Sequence, residues 1–486
     1  MRNKNKTPSF LWVILVATIF RVLCITKSSY WLDESIKAKI IESPLNQIWS
    51  LVQIHSMEPP LYYYPAKLWG YFVGYSDIAL RCFSVFLGVL SVYFVYLFGK
   101  RYFSEKVGYT AGLMVAISSF FIYYSQETAH YSLFILLSIL SMYYFFDVLK
   151  NDKSYVLYTL FSILMLYTHY YAVYMVIAQN ILMALFRSDC FFKKWLSSQI
   201  TALVCILPWY LTGFIYHLNN TYLMDAIGTY RSSSIINLFY SIGGLFFHYS
   251  YFKTIWWFSI IFVGLCVTIF GIIFLRSFLS HMDQYQYNIY LLIVSVIVVG
   301  ISFTMGYISG SYDLRYLAGI APLAYLFIAN GIKESKFLKI CVILLLLAST
   351  FNYYTWYEKE DWRKTAGLLR DISDESDIIL FYGCGIQIPF ERYYFGPSDL
   401  GGASYLTGIP KKYNWGNPVK CDRGYTNLTQ SLDWVVDQYN SANFDNVENI
   451  WLVVSHVDLD KTNQLLQGRY SSKYMLPYIN IYEVVK

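Results

Sequence analysis

A polytopic α-helical membrane protein with a C-terminal extracytoplasmic α/β domain is the architecture this sequence predicts, on three observations. The 486 residues are 56% hydrophobic and only 14% charged, with a mean hydropathy of +0.40, whereas soluble domains run to about a quarter charged. Apolar runs of about 18 residues recur through the first three quarters of the chain, the length an α-helix needs to cross a bilayer. Basic residues fall in alternate loops, as the positive-inside rule requires. The short alternating strands of a membrane β-barrel do not occur.

The elements follow in order. Met1 to Lys6 is basic, like the start of a signal peptide, but the apolar run from Phe10 to Cys24 lacks a small-residue cleavage site before Lys27. It reads as an uncleaved first span. Apolar segments then lie near 8–26, 79–99, 107–124, 129–148, 154–168, 170–187, 196–215, 253–276, 287–308, 313–331 and 337–354, making about eleven spans by length and hydropathy. With the N-terminus cytoplasmic, the inner loops carry Lys100, Arg101 and Lys106; Lys150 and Lys153; Arg187, Lys193 and Lys194; Arg276; and Lys333, Lys336 and Lys339. The run from Pro59 to Gly74 opens on a Pro pair and holds Lys67 in its middle. It reads as an interfacial helix on the outer surface rather than a span, and this choice keeps 27–78 and the C-terminal region on the non-cytoplasmic side.

Beyond Tyr354 the composition changes. Short β-rich runs at Asp377–Tyr382, Ile450–Val457 and Tyr478–Val485 alternate with helical periods at 361–373 and 428–440. Two domains are therefore expected: 1–354 in the membrane, with an outer first loop at 27–78, and 355–486 as an α/β domain outside it. Gly383-Cys384-Gly385 is no phosphate-cradling fingerprint. Cys384 and Cys421 alone among the eight cysteines fall in the outer domain, and an oxidising compartment leaves their pairing open. The 49 Tyr and 35 Phe suit the headgroup region and also contacts to sugars and polyprenyl chains. A net charge of +6, accounted for by the inner loops, gives no reason to expect nucleic acid.

This topology collects polar residues at the outer face. Asp33, Glu34, Glu58, Lys67 and Arg81 come from the first loop region; Gln126, Glu127 and His130 follow the third span; His169 follows the fifth; Asp313 and Arg315 precede the tenth. Ionisable groups at span ends are costly unless they face a cavity or a partner. A carboxylate in such a place can act as a general base, and Arg315 or Lys67 can neutralise a phosphate leaving group. Each has an ordinary reading too. Glu34 suits the first turn of a helix, Lys67 a snorkelling interface, Arg81 and Arg315 structural ion pairs or lipid headgroups. Glu127 could belong to a hydrogen-bonded turn, and a lone histidine such as His169 is more often packed than catalytic.

Ordered motifs along the membrane half add a resemblance: Trp31-Leu32-Asp33-Glu34, Glu58-Pro59-Pro60-Leu61-Tyr62-Tyr63, Ala79-Leu80-Arg81, Tyr124-Ser125-Gln126-Glu127, Thr168-His169-Tyr170-Tyr171, Arg315-Tyr316-Leu317 and Asp361-Trp362-Arg363. The chain resembles the GT-C superfamily of polyprenyl-phosphate-dependent glycosyltransferases, in its family 39-like branch of protein O-mannosyltransferases and lipid A aminoarabinose transferases. The resemblance implies a sugar-phosphate-polyprenol donor, inversion at the anomeric carbon, no nucleotide-sugar site, and Asp33 as catalytic base. It brings Glu34 close to that role and makes Arg315, Lys67, Glu127, His169 and Arg81 the candidates for donor and phosphate binding. Two positions depart from the pattern: members often have His-Pro-Pro where this chain has Glu58-Pro59-Pro60, and an Arg soon after Ser-Gln-Glu where it has Thr128-Ala129-His130.

The expected activity is hexosyl or pentosyl transfer from a polyprenyl-phosphate donor to an acceptor glycan, lipid or protein, in a multi-pass protein of the plasma (inner) membrane. No cofactor is required. A divalent cation at Asp33, Glu127 and His169 is conceivable, since related superfamily members use such ions, but no ligand spacing calls for a metal. Two alternatives stand beside this reading: a transporter or flippase of lipid-linked sugars, which would place charges near the bilayer midplane and repeat its halves, and a glycan ligase or polymerase using a diphosphate-linked oligosaccharide.

Overall fold

A computed structural model describes residues 10–187, 192–219, 235–247, 285–309, 312–373, 377–382, 386–394, 449–455 and 470–484. The chain forms two compact units: Met1–Ile25 with Pro44–Tyr357, and Thr26–Ser43 with Glu358–Lys486. The expected span at 253–276, the helical period at 428–440, and Cys384 and Cys421 lie outside the described residues.

The first unit is helical. Helix α1 is Leu11–Val22; α2 (Leu32–Glu42) belongs to the second unit; α3 (Ile48–His55), α4 (Tyr63–Val73), α5 (Asp77–Tyr102), α6 (Glu105–Ile117), α7 (Ser119–Ser125) and α8 (Tyr131–Asn151) follow. Then come α9 (Tyr155–Leu166), α10 (Ala172–Phe186), α11 (Phe192–Trp209), α12 (Ile215–Asn219), α13 (Ile235–Phe247), α14 (Tyr285–Ser309), α15 (Ala321–Ile332) and α16 (Lys336–Trp356). Ten of the expected apolar segments thus coincide with helices. Among the described residues five helical stretches are long and apolar enough to cross a membrane: α5, α8, Phe192–Asn219, Gln286–Ile308 and α16. Helices α6 and α7 meet at a 61° bend and qualify together as a sixth. Helix α4 has 11 residues, about 17 Å at 1.5 Å per residue, half of the bilayer's hydrocarbon thickness.

Helices α5 and α6 approach closely because glycine faces glycine. A Cβ on Gly99 would stand 2.6 Å from the Gly108 Cα. Inside the bundle Arg21 is fully buried yet fully engaged. Its guanidinium donates to Ser125 Oγ (3.1 Å) and to the carbonyls of Ala116 (3.0 Å) and Val115 (3.1 Å) left open at the α6–α7 bend, as a charge in an apolar interior must.

The bundle has two chemically distinct ends. At one, Arg101 pairs with Asp147 (2.5 Å), Lys106 with Glu334 (3.3 Å) and Lys194 with Asp152 (2.8 Å), while Arg187 caps the Leu149 carbonyl. These are the residues expected in the inner loops. The opposite ends of α5, α8, α9 and α16 carry the polar segments described below.

The second unit is α/β. Strands β1 (Ile378–Tyr382), β2 (Ile450–Ser455), β3 (Tyr470–Leu476) and β4 (Ile479–Val484) form one sheet in the order β1-β2-β4-β3. β1 and β2 are parallel; the other pairs are antiparallel. Asp377 locks the parallel pair by accepting from the Asn449 N–H (2.9 Å) and the Trp451 indole (3.0 Å). Alternate residues Trp451 and Val453, Ile479 and Ile481 face helix α17 (Trp362–Ile372), which presents Trp362, Ala366 and Leu369 one turn apart, and Phe390 of helix α18 (Gln387–Tyr394). The two periodicities, two and 3.6, meet in one core. Helix α2, from the N-terminal half of the sequence, packs on α18 through Glu42–Arg392 at 2.8 Å.

Candidate functional site

The sequence-predicted residues fall into two clusters, one in each unit. In the first unit Pro60 opens a 3-10 turn that leads into α4, and this turn is tied to the α9–α10 connection by the Leu61 N–H donating to the Tyr167 carbonyl at 3.0 Å. The turn carries Glu58 inward. Glu58 Oε1 accepts the Tyr63 hydroxyl at 2.7 Å, so the 2.9 Å contact between Ser56 and Tyr63 is a donation from Ser56. His130, the last residue before α8, places Nδ1 3.3 Å from the same Glu58 oxygen.

His130 packs against His169 with the rings tilted by 41° and their centroids 5.0 Å apart, and His169 stacks on Phe134 at 4.7 Å. The Tyr171 N–H donates to His169 Nδ1 at 3.1 Å. Tyr171 in turn stacks on Tyr316 at 4.1 Å, which brings in the 3-10 turn Leu314–Leu317. Arg315 in that turn reaches back to Asp313, whose carboxylate caps the turn at the Arg315 N–H (3.0 Å) and lies 3.3 Å from its Nε. Glu58, His130, His169 and Arg315, from four separate connections, therefore lie along one continuous line of contacts.

The other candidates of this unit stand apart from that line. Arg81 is buried and donates to the Ile25 carbonyl at 2.8 Å, closing the end of the chain that follows α1. Gln126 donates to the carbonyls of Arg21 and Leu23 and accepts from Tyr353, a structural clasp. Glu127 beside it is buried. Lys67 on α4 is half-buried with its ammonium 5.5 Å from the Tyr75 ring.

In the second unit Asp33 and Glu34 occupy the first turn of α2, where carboxylates meet the positive helix end. Their surroundings differ. Asp33 is half-buried, whereas Glu34 is fully buried with Lys359 Nζ 3.6 Å away. Lys359 also stands over the Trp31 ring at 5.8 Å. The segment leading into α2 is held by Ser29, which donates to the Glu360 carbonyl (2.7 Å) and accepts from the Trp362 N–H (3.0 Å), and by the Tyr30 N–H donating to the Tyr393 hydroxyl (2.6 Å). Lys359, Arg392 and Tyr393 were not singled out from sequence. Only their partners' positions, hundreds of residues earlier, could have marked them.

Glu391 of α18 is a second buried carboxyl of this unit. Burial pushes its titration upward, opposed by Lys39, and Oε1 has no hydrogen-bond partner among the described residues. Among the described residues no three His, Cys, Asp or Glu side chains gather as metal ligands do.

With this geometry in view, likeness to known proteins is informative. The dolichyl-phosphate-mannose-protein mannosyltransferase family matches residues 57–211. No curated protein matches the sequence. Among solved structures, ArnT from Cupriavidus metallidurans in the apo state shares the fold with a TM-score of 0.58 at 10% identity, over 98% of this chain and 97% of that one. The same protein bound to undecaprenyl phosphate gives 0.58 at 10%, over 98% and 99%. The archaeal oligosaccharyltransferase AglB from Archaeoglobus fulgidus, in complex with an inhibitory peptide and a dolichol-phosphate, gives 0.50 at 11%, over 98% and 75%. The chain therefore shares the fold of these lipid-phosphate-binding structures, and its residues 57–211 are similar to the dolichyl-phosphate-mannose-protein mannosyltransferase family.

Proposed function

We propose that this protein is an integral-membrane glycosyltransferase that moves a hexosyl or pentosyl group from a polyprenyl-phosphate donor to an extracytoplasmic glycan, lipid or protein. The observation that carries the reading is the convergence of Glu58, His130, His169 and Arg315 at one end of an apolar bundle whose other end is basic. The family match over 57–211, and the lipid phosphates held by the structurally similar ArnT and AglB, support a lipid-linked donor.

In this reading about eleven spans cross the plasma (inner) membrane, the N-terminus is cytoplasmic, and the polar end and the α/β unit are extracytoplasmic, because basic ends stay inside. The acceptor hydroxyl or amine attacks the anomeric carbon and gives its proton to Asp33. The bond from that carbon to the phosphate oxygen breaks, its electron pair leaves with the polyprenyl phosphate, and the anomeric configuration inverts. Arg315, already beside Asp313, and Lys67 neutralise the departing phosphate. Asp33 is favoured over Glu34 because Glu34 is buried against Lys359. No cofactor takes part; a divalent cation, where one binds, would act on the phosphate, and activity after EDTA treatment tests that.

The experiment incubates purified protein with polyprenyl-phosphate monosaccharides and follows the products by mass spectrometry. Bare polyprenyl phosphate appearing with a glycosylated product is the expected result. Movement of intact lipid-linked sugar across vesicles without bond cleavage would establish a flippase instead. Transfer from diphosphate-linked oligosaccharides alone would establish a ligase.

A further inference from the structure

Helix α11 is broken where it meets α12. Pro208 lies inside its last turn, and a π-helical turn, Tyr210–Phe214, joins the two helices. In an unbroken α-helix Trp209 and His217 would point about 80° apart around the axis. A π-turn takes in about one extra residue, which brings the two to within about 20° of each other. They meet on one partner. The Trp209 indole N–H donates to the Tyr170 hydroxyl oxygen at 3.0 Å, and the same hydroxyl lies 3.0 Å from His217 Nδ1. His217 Nε2 donates to the Gln53 carbonyl at 2.9 Å, and the Gln53 side-chain amide donates to the Thr212 carbonyl in the π-turn at 3.1 Å. The circuit is closed, and His217 and Trp209 are both buried in it. The Trp209 ring sits directly on Gly213, where a Cβ would stand 2.5 Å from it.

Two members of the circuit belong to segments of the site. Gln53 is near the end of α3, the helix that leads to Glu58, and Tyr170 follows His169 in the α9–α10 connection. We propose that His217 is a positioning residue for the lipid-linked donor, setting the spacing between the Glu58 segment and the His169 connection. Its two nitrogens face the two segments, one each. Groups that hold a substrate lose their effect when displaced by about 1 Å, so a bridge of two buried contacts between their segments matters to binding. An apolar side chain in its place leaves the Gln53 carbonyl and the Tyr170 hydroxyl without that bridge. The π-turn then has a purpose of its own, since an unbroken helix would turn His217 away from Tyr170. This inference rests on the donor named under the proposed function.

The test compares Tyr170→Phe, His217→Phe and the double variant as full-length protein in nanodiscs, with a polyprenyl-phosphate hexose as donor. Each single variant raises the donor KM about tenfold, the size of one buried hydrogen bond, while kcat stays within about twofold. The double variant is no worse than the worse single one, because both remove the same contact. His217→Asn, whose amide oxygen stands near the Nδ1 position, recovers part of the loss. An unchanged KM beside a lowered unfolding temperature overturns the assignment and leaves the circuit structural; additive losses overturn it too. Should His217→Phe fail to fold, Tyr170→Phe carries the same KM test. A second readout needs no donor: in NMR of protein labelled at tryptophan nitrogen, the Trp209 indole signal, identified by its loss in Trp209→Phe, shifts in Tyr170→Phe and in His217→Phe. A signal that stays in place refutes the circuit, whereas a shifted signal in a protein that turns over no donor refutes the proposed function instead.

Discussion

Breaking the Glu34–Lys359 pair tests how the two adjacent carboxylates divide their work. Glu34 is fully buried, the Lys359 side chain is 9% exposed, and the charged atoms are 3.6 Å apart. At an effective dielectric constant of about 20 such charges attract by about 5 kcal/mol. Measured losses on removing one partner of a buried pair are about 3–5 kcal/mol, because the other charge is left in an apolar place. Glu34→Gln therefore destabilises the second unit, by roughly 8–16 °C if the loss is about 4 kcal/mol. Adding Lys359→Met to Glu34→Gln removes the buried ammonium that faced Glu34 and recovers part of the loss. The assay is thermal unfolding in detergent, with tryptophan fluorescence as the signal, since Trp31 lies against Lys359. A Glu34→Gln protein as stable as the wild type, or a double variant worse than the single one, refutes the reasoning.

Two further outcomes follow from other parts of the molecule. The Glu391 carboxyl titrates above its ordinary range because it is buried, so the folded state holds its proton more tightly than the unfolded one. Stability is then greatest at low pH and falls as pH rises from the ordinary glutamate range through the raised folded value. Glu391→Gln should unfold at a higher temperature than the wild type at pH 7, with the difference vanishing below about pH 4. Gly99→Ala forces its methyl to within 2.6 Å of the Gly108 backbone. It should cost about 1–3 kcal/mol, measured as a lower midpoint of unfolding, whereas Gly367→Ala, which meets nothing within 4 Å, should not.

Much of this was legible in the sequence, for physical reasons. Apolar runs mark helices because backbone polar groups must be paired inside a membrane. Ten expected segments coincide with α1, α5 to α11, α14, α15 and α16, with α6 and α7 sharing one of them. The runs around β1, β2 and β4 were readable from their β-branched and aromatic residues, while β3, with Ser471, Ser472 and Lys473, was not. Its place at the sheet edge explains that, since an edge strand tolerates polar residues.

What the sequence could not carry was pairing at a distance. That residues 26–43 cluster with the C-terminal residues, and that Glu34 meets Lys359, depends on partners far along the chain. The Glu58–His130 contact is of the same kind. Both residues were visible as polar groups near span ends, but only the fold turns a carboxylate and an imidazole into one oriented pair.

The most direct measurement is sugar transfer by Asp33→Asn in the purified full-length protein, with a polyprenyl-phosphate sugar as donor and unfolding temperature as control. If Asp33 is the base, turnover falls about 10²–10⁴-fold while donor binding and unfolding temperature stay near wild type. Transfer at close to the wild-type rate would contradict the account.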